Sequence, residues 1–199
     1  MVFIPAKPGG LDVQEIFQLT NSTKQTLTGG SLVDPNGKQK TGWFIPLPQG
    51  FQNLSVQQGL SKGDYAVVKD GFQVYKPVKP GTAEIGIVYS LSSNAPVTFT
   101  KKFPFTTNAL LIDVPKNSFT IAGKGLQQMQ TLTDQGVDYV RYVYNGAFQL
   151  GDQIDITVNP ATATAAGANS ADNKVAAGYN VPWHPDGHVA FFTSEPLSY

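Results

Sequence analysis

Alternation of apolar and polar residues is the dominant pattern along this chain. Four segments place their large apolar residues mainly at alternate positions: LDVQEIFQL (11–19), EIGIVYSL (84–91), VTFTKKFPF (97–105) and DQIDITV (152–158). Such alternation is typical of half-buried antiparallel strands. Short turn sequences such as PNG, KDG and KPG separate the segments. The pattern predicts about a dozen strands in an all-β fold, built as tandem antiparallel β-sandwich units of the immunoglobulin-like type with a C-terminal tail.

The apolar face of these strands is the predicted core. Glu15 interrupts that face in the first segment. No stretch has a convincing helical period, and the best candidate for a helical turn lies within 124–130. The residues predicted to be buried are Phe17, Leu19, Ile85, Ile87, Tyr89, Phe99, Ile154 and Ile156.

Two parts of the sequence align with each other. IPLPQGFQNLSVQQGL (45–60) aligns with IDVPKNSFTIAGKGL (112–126), and matched turn residues along the chain lie 66 to 70 positions apart. A near-constant offset predicts an internal duplication, although Pro-x-Gly turns before alternating strands recur in any β-sandwich. The predicted units are a first sandwich (8–104), which contains a hairpin at 26–42, and a second sandwich (105–160). Whether they are separate domains or one sandwich stays open.

The chain changes character after residue 160. ATATAAGANSADNK (161–174) has few bulky apolar side chains, so 161–178 is predicted to be a flexible linker. Large apolar residues return in the tail (179–199), at Val189, Phe191 and Phe192. We expect this tail to dock on the second unit, because burial of three large side chains is favourable.

Two stretches carry a resemblance to a known group of proteins. FIPLPQGFQNLSVQQGL (44–60) and KPVKPGTAEIGIVYSL (76–91) are similar to turn-and-strand patterns of bacterial exported proteins. The resemblance covers roughly residues 11–158. It implies a β-sandwich ectodomain, often with a signal peptide and a C-terminal membrane anchor, and no activity that can be transferred. It also implies structural roles for the matched residues, which are Pro46, Pro48, Gly50, Pro80, Gly81 and Tyr89.

Composition narrows the possible partners. The formal net charge is zero, and Arg141 is the one arginine among fourteen basic residues, so nucleic acid is not an expected partner. The chain has no cysteine, which excludes disulfides and thiolate chemistry. It has no signal-like start and no apolar run long enough to cross a bilayer. A charged share of only 14%, with 20 glycines and 14 prolines, is typical of an exported β-protein. We therefore expect an extracellular or cell-surface protein whose signal and anchor lie outside this chain, with no membrane contact within it.

Tyrosines supply the first candidate binding site. VDYVRYVYNG (137–146) places Tyr142 and Tyr144 on one face of a strand and Tyr139 and Arg141 on the other. An exposed row of this kind can stack on sugars or anchor a protein partner. The alternative is that one row simply covers the core.

Histidines supply the second candidate. VPWHPDGH (181–188) holds His184, Asp186 and His188, whose imidazole and carboxylate groups suit zinc or copper. Pro185 and Gly187 explain the segment equally well as a turn without a ligand. We expect the turn and no native metal or cofactor.

No catalytic motif is present, so the sequence predicts a non-catalytic, exported cell-surface ectodomain with a structural or binding role. Its partners would be protein or glycan. The first alternative is a carbohydrate-binding or adhesion module that uses exposed tyrosines. The second is a metal-handling protein that uses the two histidines.

Overall fold

The computed structural model describes residues 1–6, 10–92, 96–134, 136–160 and 193–194, and these residues form strands, turns and loops without a helix. The prediction of an all-β fold is therefore confirmed. The strands are β1 (Val2–Ala6), β2 (Gly10–Asn21), β3 (Gly30–Val33), β4 (Gln39–Pro46), β5 (Phe51–Gln58), β6 (Tyr65–Val68), β7 (Gly71–Val74), β8 (Gly81–Ser92), β9 (Val97–Lys102), β10 (Leu110–Pro115), β11 (Phe119–Ala122), β12 (Leu126–Asp134), β13 (Val137–Tyr144), β14 (Gln153–Pro160) and β15 (Thr193–Ser194).

The described strands form three sheets. The long sheet has the order β12-β13-β10-β1-β2-β8-β5, and β15 pairs with β2 at its side. The other two are a four-stranded sheet, β3-β4-β7-β6, and a three-stranded sheet, β11-β14-β9. Pairing is antiparallel except where β1 meets β10 and where β15 meets β2, which are parallel contacts.

Both short sheets pack on the same face of the long sheet. The ring of Phe17 on β2 lies 6.5 Å from the ring of Phe72 on β7. The Lys101 Nζ on β9 lies 4.9 Å from the centre of that same Phe17 ring. Trp43 of the four-stranded sheet contacts Phe105, just beyond β9, with ring centres 5.4 Å apart. The fold is therefore two layers, and the buried apolar side chains form one cluster between them.

The predicted core residues are confirmed. All eight are buried, with at most 7% of the side chain exposed. They lie at alternate positions along β2, β8, β9 and β14, so one face of each strand points into the space between the layers. Removal of these apolar surfaces from water is the main force that holds the two layers together.

Two groups of strands have the same pairing scheme. We call β2 with β4–β8 the first strand set, and β9–β14 the second strand set. In the first set β8 pairs with β2 and β5, and β7 pairs with β4 and β6. In the second set β14 pairs with β9 and β11, and β13 pairs with β10 and β12. An isolated bridge also recurs in each set, at Leu27–Val78 and at Thr107–Phe148.

The turns of the two sets also correspond. The amide of Phe51 donates to Pro48 O at 3.2 Å, and the amide of Ser118 donates to Pro115 O at 3.1 Å. Each turn contains one residue with positive φ, at Gly50 (79°) and at Asn117 (66°). Glycine and asparagine are the residues that adopt this conformation most readily.

Hydrogen bonding crosses the boundary predicted at residue 104. β9 precedes that boundary, yet it pairs with β14 and so completes the three-stranded sheet. β1 pairs with β2 on one side and with β10 on the other, so strands from both predicted units share the long sheet. The division into units stays a prediction, but the second strand set starts at β9.

Two local predictions have opposite outcomes. The hairpin at 26–42 is present as β3 and β4, with Gly37 at its tip in a positive-φ conformation. The helical turn suggested within 124–130 is wrong, because β12 begins at Leu126 and pairs with β13. β12 is an edge strand with both faces largely exposed, so its sequence lacks the alternation that marks buried strands.

Candidate functional site

The predicted tyrosine site lies on β13, between β12 and β10 in the long sheet. Tyr139 and Tyr142 are buried, at 8% and 7% exposure. Tyr144 is half-buried, and its ring stacks on Phe148 with centres 4.1 Å apart. The exposed row that a stacking site requires is therefore not found at Tyr139 and Tyr142, because packing covers both rings. Ligand binding by this strand stays a prediction, without support from exposure.

Arg141, the fourth residue of that predicted site, forms a two-point ion pair. Its Nε donates to Asp113 Oδ1 and its Nη2 to Asp113 Oδ2, both at 2.7 Å. The two residues lie directly opposite each other on β13 and β10. The hydrogen bonds that Arg141 donates to Asp113 raise the pKa of Arg141 above its usual value, although partial burial opposes this. The guanidinium thus links β13 to β10. Arginine suits this role because its planar group can hydrogen-bond both oxygens of one carboxylate.

A buried polar cluster lies between the two layers. It consists of Glu15 on β2, Tyr89 on β8 and Lys101 on β9, with exposures of 0%, 0% and 1%. Tyr89 Oη donates to Glu15 Oε1 at 2.6 Å, and Lys101 Nζ donates directly to Glu15 Oε2. Both carboxylate oxygens therefore have a partner. Burial, followed by the nearby Glu15 charge and hydrogen bond, raises the pKa of Tyr89 well above its usual value.

The buried polar cluster links the two layers by charge. Glu15 belongs to the long sheet and Lys101 to the three-stranded sheet. Moving two ions out of water costs several kcal/mol for each, and the cost is recovered only when the pair is close and fully hydrogen-bonded. We expect this ion pair to contribute less to net stability than to the choice of one alignment, because any shift of β9 along β2 would leave both charges unpaired.

Sequence reasoning missed this cluster, although a signal was present. Glu15 was recognised as an interruption of the apolar row on β2. Lys101 interrupts the corresponding row on β9, between Phe99 and Phe103. Two charges of opposite sign, each in an apolar position of an alternating strand, predict a buried ion pair when they are considered together.

The predicted metal site, at His184, Asp186 and His188, lies outside the described residues, so its prediction stays open. Within the part of the chain that the structure describes, no group of three or more His, Asp or Glu side chains is placed to hold a metal ion. In the same part, no helix is long and apolar enough to cross a membrane. Comparison with known proteins finds no family model, no curated protein and no solved structure that matches this chain.

Proposed function

We propose that this chain is a non-catalytic ectodomain of a bacterial cell-surface protein, built from two copies of one immunoglobulin-like β-sandwich. The proposal of two copies rests on the strand order. With β3 added, the first set forms the sheets β3-β4-β7-β6 and β2-β8-β5, which have the adjacency A-B-E-D and G-F-C of an immunoglobulin constant domain. With β1 added, the second set repeats this adjacency in β1-β10-β13-β12 and β9-β14-β11, although β1 meets β10 in parallel.

One departure from the usual immunoglobulin order recurs in both copies. The strand in the G position, β2 or β9, comes before the rest of its set in the chain instead of after it. A shared departure of this kind favours duplication over two independent origins, because each copy would otherwise have had to acquire the same unusual connection.

The structural role rests chiefly on the continuous long sheet through both copies. Domains in one chain usually move relative to each other unless their interface is large and apolar. Here β1 hydrogen-bonds to both copies, one apolar cluster runs through them, and the buried polar cluster holds β9 against β2. Two copies joined in this way act as a spacer of fixed geometry, which suits the stalk of an anchored protein.

A mechanical experiment tests the spacer role. Single-molecule pulling on the whole chain should give one unfolding event, because neither copy can lose its strands without exposing the shared core. A matched variant, Leu150→Ala, removes an exposed side chain and should leave the trace unchanged. Two well-separated events in the unaltered chain would contradict the spacer role.

Location needs a separate measurement. An antibody against the chain should label intact cells of the producing bacterium, and brief protease treatment of those cells should remove the signal. A cytosolic protein of the same cells is the control for leakage. Labelling that appears only after lysis would reject the cell-surface assignment.

Two further experiments test the alternative functions. A glycan array tests adhesion through β13, and a zinc and copper titration tests metal handling through the tail histidines.

A further inference from the structure

Two Asn-Gly pairs occur in the sequence, and their surroundings differ. One is Asn36-Gly37 at the tip of the β3–β4 hairpin, and the other is Asn145-Gly146, directly after β13. Both asparagines are exposed. An asparagine followed by glycine can lose its side-chain amide without an enzyme, because glycine has no side chain that hinders its own backbone nitrogen. The two pairs therefore place one reaction in two settings.

The reaction is an intramolecular substitution at the asparagine side chain. The backbone nitrogen of the glycine attacks the side-chain carbonyl carbon, and a bond forms between them. The bond from that carbon to Nδ2 breaks, and the departing nitrogen takes the glycine amide proton and leaves as ammonia. Water then opens the five-membered succinimide at one of its two carbonyls, which yields either aspartate or isoaspartate. Water is the only co-reactant.

The turn around Asn36 holds the attacking nitrogen in a hydrogen bond. The amide of Gly37 donates to Asp34 O at 2.9 Å. The Asp34 carboxylate fixes the same turn, because its Oδ1 accepts from the amides of Asn36 at 2.9 Å and of Lys38 at 2.8 Å. Asp34 is itself buried. The turn must open before the Gly37 nitrogen can attack, so this pair is protected.

The loop after β13 lacks this protection. Among the described residues, the amide of Gly146 has no acceptor within hydrogen-bond distance. Asn145 makes one exposed side-chain bond, in which its Nδ2 donates to Gln127 Oε1 at 2.9 Å. An exposed bond of this kind is exchanged for water at little cost. The attacking nitrogen is therefore available, and a single surface contact holds the side chain that it attacks.

We propose that Asn145 is a site of spontaneous deamidation, whereas Asn36 is protected by its turn. One hydrogen bond of ordinary net strength changes the population of the released amide by roughly 2- to 10-fold. The folded protein should therefore convert Asn145 faster than Asn36 by a factor of at least this size.

The two products differ in their effect on β12 and β13. Aspartate at position 145 can still pair with Gln127, because the glutamine amide can turn and donate a hydrogen bond. Isoaspartate instead adds a methylene to the main chain between Tyr144 and Gly146. A Cβ placed on Gly146 would lie 2.9 Å from the Tyr144 ring, so the chain has little room to shift there. Isoaspartate should therefore loosen the end of β12 against β13 as the protein ages.

Peptide mapping by mass spectrometry follows both asparagines in one sample. The whole chain is kept at mildly alkaline pH, folded in one series and in denaturant in the other. We expect similar rates at the two sites in denaturant and faster conversion of Asn145 in the folded protein. Equal rates in the folded protein, or faster conversion of Asn36, would overturn the proposal. The same ratio of rates in both series would also overturn it, since the local sequence would then be the cause.

A variant of the turn tests the origin of the protection. Asp34→Ala removes the carboxylate that accepts from Asn36 and Lys38, so conversion of Asn36 should accelerate while conversion of Asn145 stays the same. An unchanged rate at Asn36 would show that the turn does not protect it.

Hydrogen exchange tests the consequence for β12. Asn145→Asp has the charge of one product on a normal main chain, so exchange in β12 should match that of the unaltered protein. Aged protein that contains isoaspartate should exchange faster at the Leu126 end of β12. Unchanged exchange in the aged protein would contradict the loosening.

Discussion

The two strand sets share one pairing scheme, yet different strands cover the open edges of β4 and β10. β4 is covered by β3, which lies a few residues upstream and forms an antiparallel hairpin with it. β10 is covered by β1, which pairs in parallel and comes from the start of the chain. The same position is therefore filled by a local strand in one set and by a remote strand in the other.

This difference determines which strands connect the two sets. β3 pairs with β4, and its further hydrogen bond, from Gln73 Nε2 to Val33 O, goes to β7 of the same set. β1 pairs with β10 on one side and with β2 on the other, so the strand that completes the second set also belongs to the sheet of the first. Four predictions test whether this dependence governs stability.

The largest effect is expected at the ion pair between the sets. Lys101→Met leaves Glu15 buried without its cation and should lower the free energy of unfolding by about 3–5 kcal/mol. The double variant Glu15→Gln with Lys101→Met removes both charges and keeps an acceptor for Tyr89, so it should recover much of that loss. Chemical denaturation measures both. A double variant no more stable than Lys101→Met would show that the unpaired charge is not the cause.

The next effect is expected at β1. Phe3 is fully buried, and its ring contacts Phe99 on β9 with centres 5.9 Å apart. Phe3→Ala should cost about 3–5 kcal/mol. In this variant, amide hydrogen exchange should accelerate more in β10 and β9 than in the β3–β4 hairpin. The reason is that the edge of β4 is covered by the neighbouring β3 and does not depend on β1. Equal acceleration in all of these strands would contradict the difference between the sets.

Two isoleucines give a matched comparison of the sets. Ile87 on β8 and Ile156 on β14 are both fully buried in the shared cluster. Each change to alanine should cost about 2–5 kcal/mol. Because the core is shared, both variants should still unfold in a single calorimetric transition at a lower temperature. Separation into two transitions in either variant would indicate that the sets unfold independently.

The smallest effect concerns pH. The pKa of Tyr89 is raised in the folded protein, mainly by burial, whereas an unfolded tyrosine ionises near pH 10. Above about pH 10 the unfolded state therefore binds fewer protons than the folded state, and the free energy of unfolding falls as pH rises. Tyr89→Phe removes this contribution, so its stability should fall less steeply between pH 9 and 11, a window of about one unit on each side of that pKa. Parallel slopes would mean that Tyr89 does not contribute.

Alternation along the chain was enough to predict the all-β class and eight residues of the core. The eight predicted core residues occupy alternate positions in their strands, so a period of two indicates which face is buried. Which strands pair with each other is harder to predict from the sequence. β1 pairs in parallel with a strand more than a hundred residues away, and no local pattern reports such a contact.

The candidate site was less predictable for a related reason. Tyr142 and Tyr144 share one face as an exposed row would, yet Tyr142 is buried, and so is Tyr139 on the other face, because exposure depends on which other parts of the chain cover β13. Glu15 and Lys101 are the opposite case. Each is a charged residue in an apolar position of its strand, so their pairing could have been predicted from the sequence. A strand pattern shows which residues share a face, and only the whole fold decides whether that face is covered.

The position of β1 has a consequence for the order of events as the chain is made. Val2 pairs with Asp113, so the parallel contact with β10 cannot form until more than a hundred further residues have followed β1 during synthesis. Contacts between such distant residues form slowly, because a long loop must close before they are made. The nascent chain can meanwhile pair β1 with β2, which lies a few residues away, and so carries one open strand edge until β10 arrives. At high local density that edge is free to capture β10 of a neighbouring nascent chain, which makes exchange of β1 between chains the misfolding route most to be expected during synthesis.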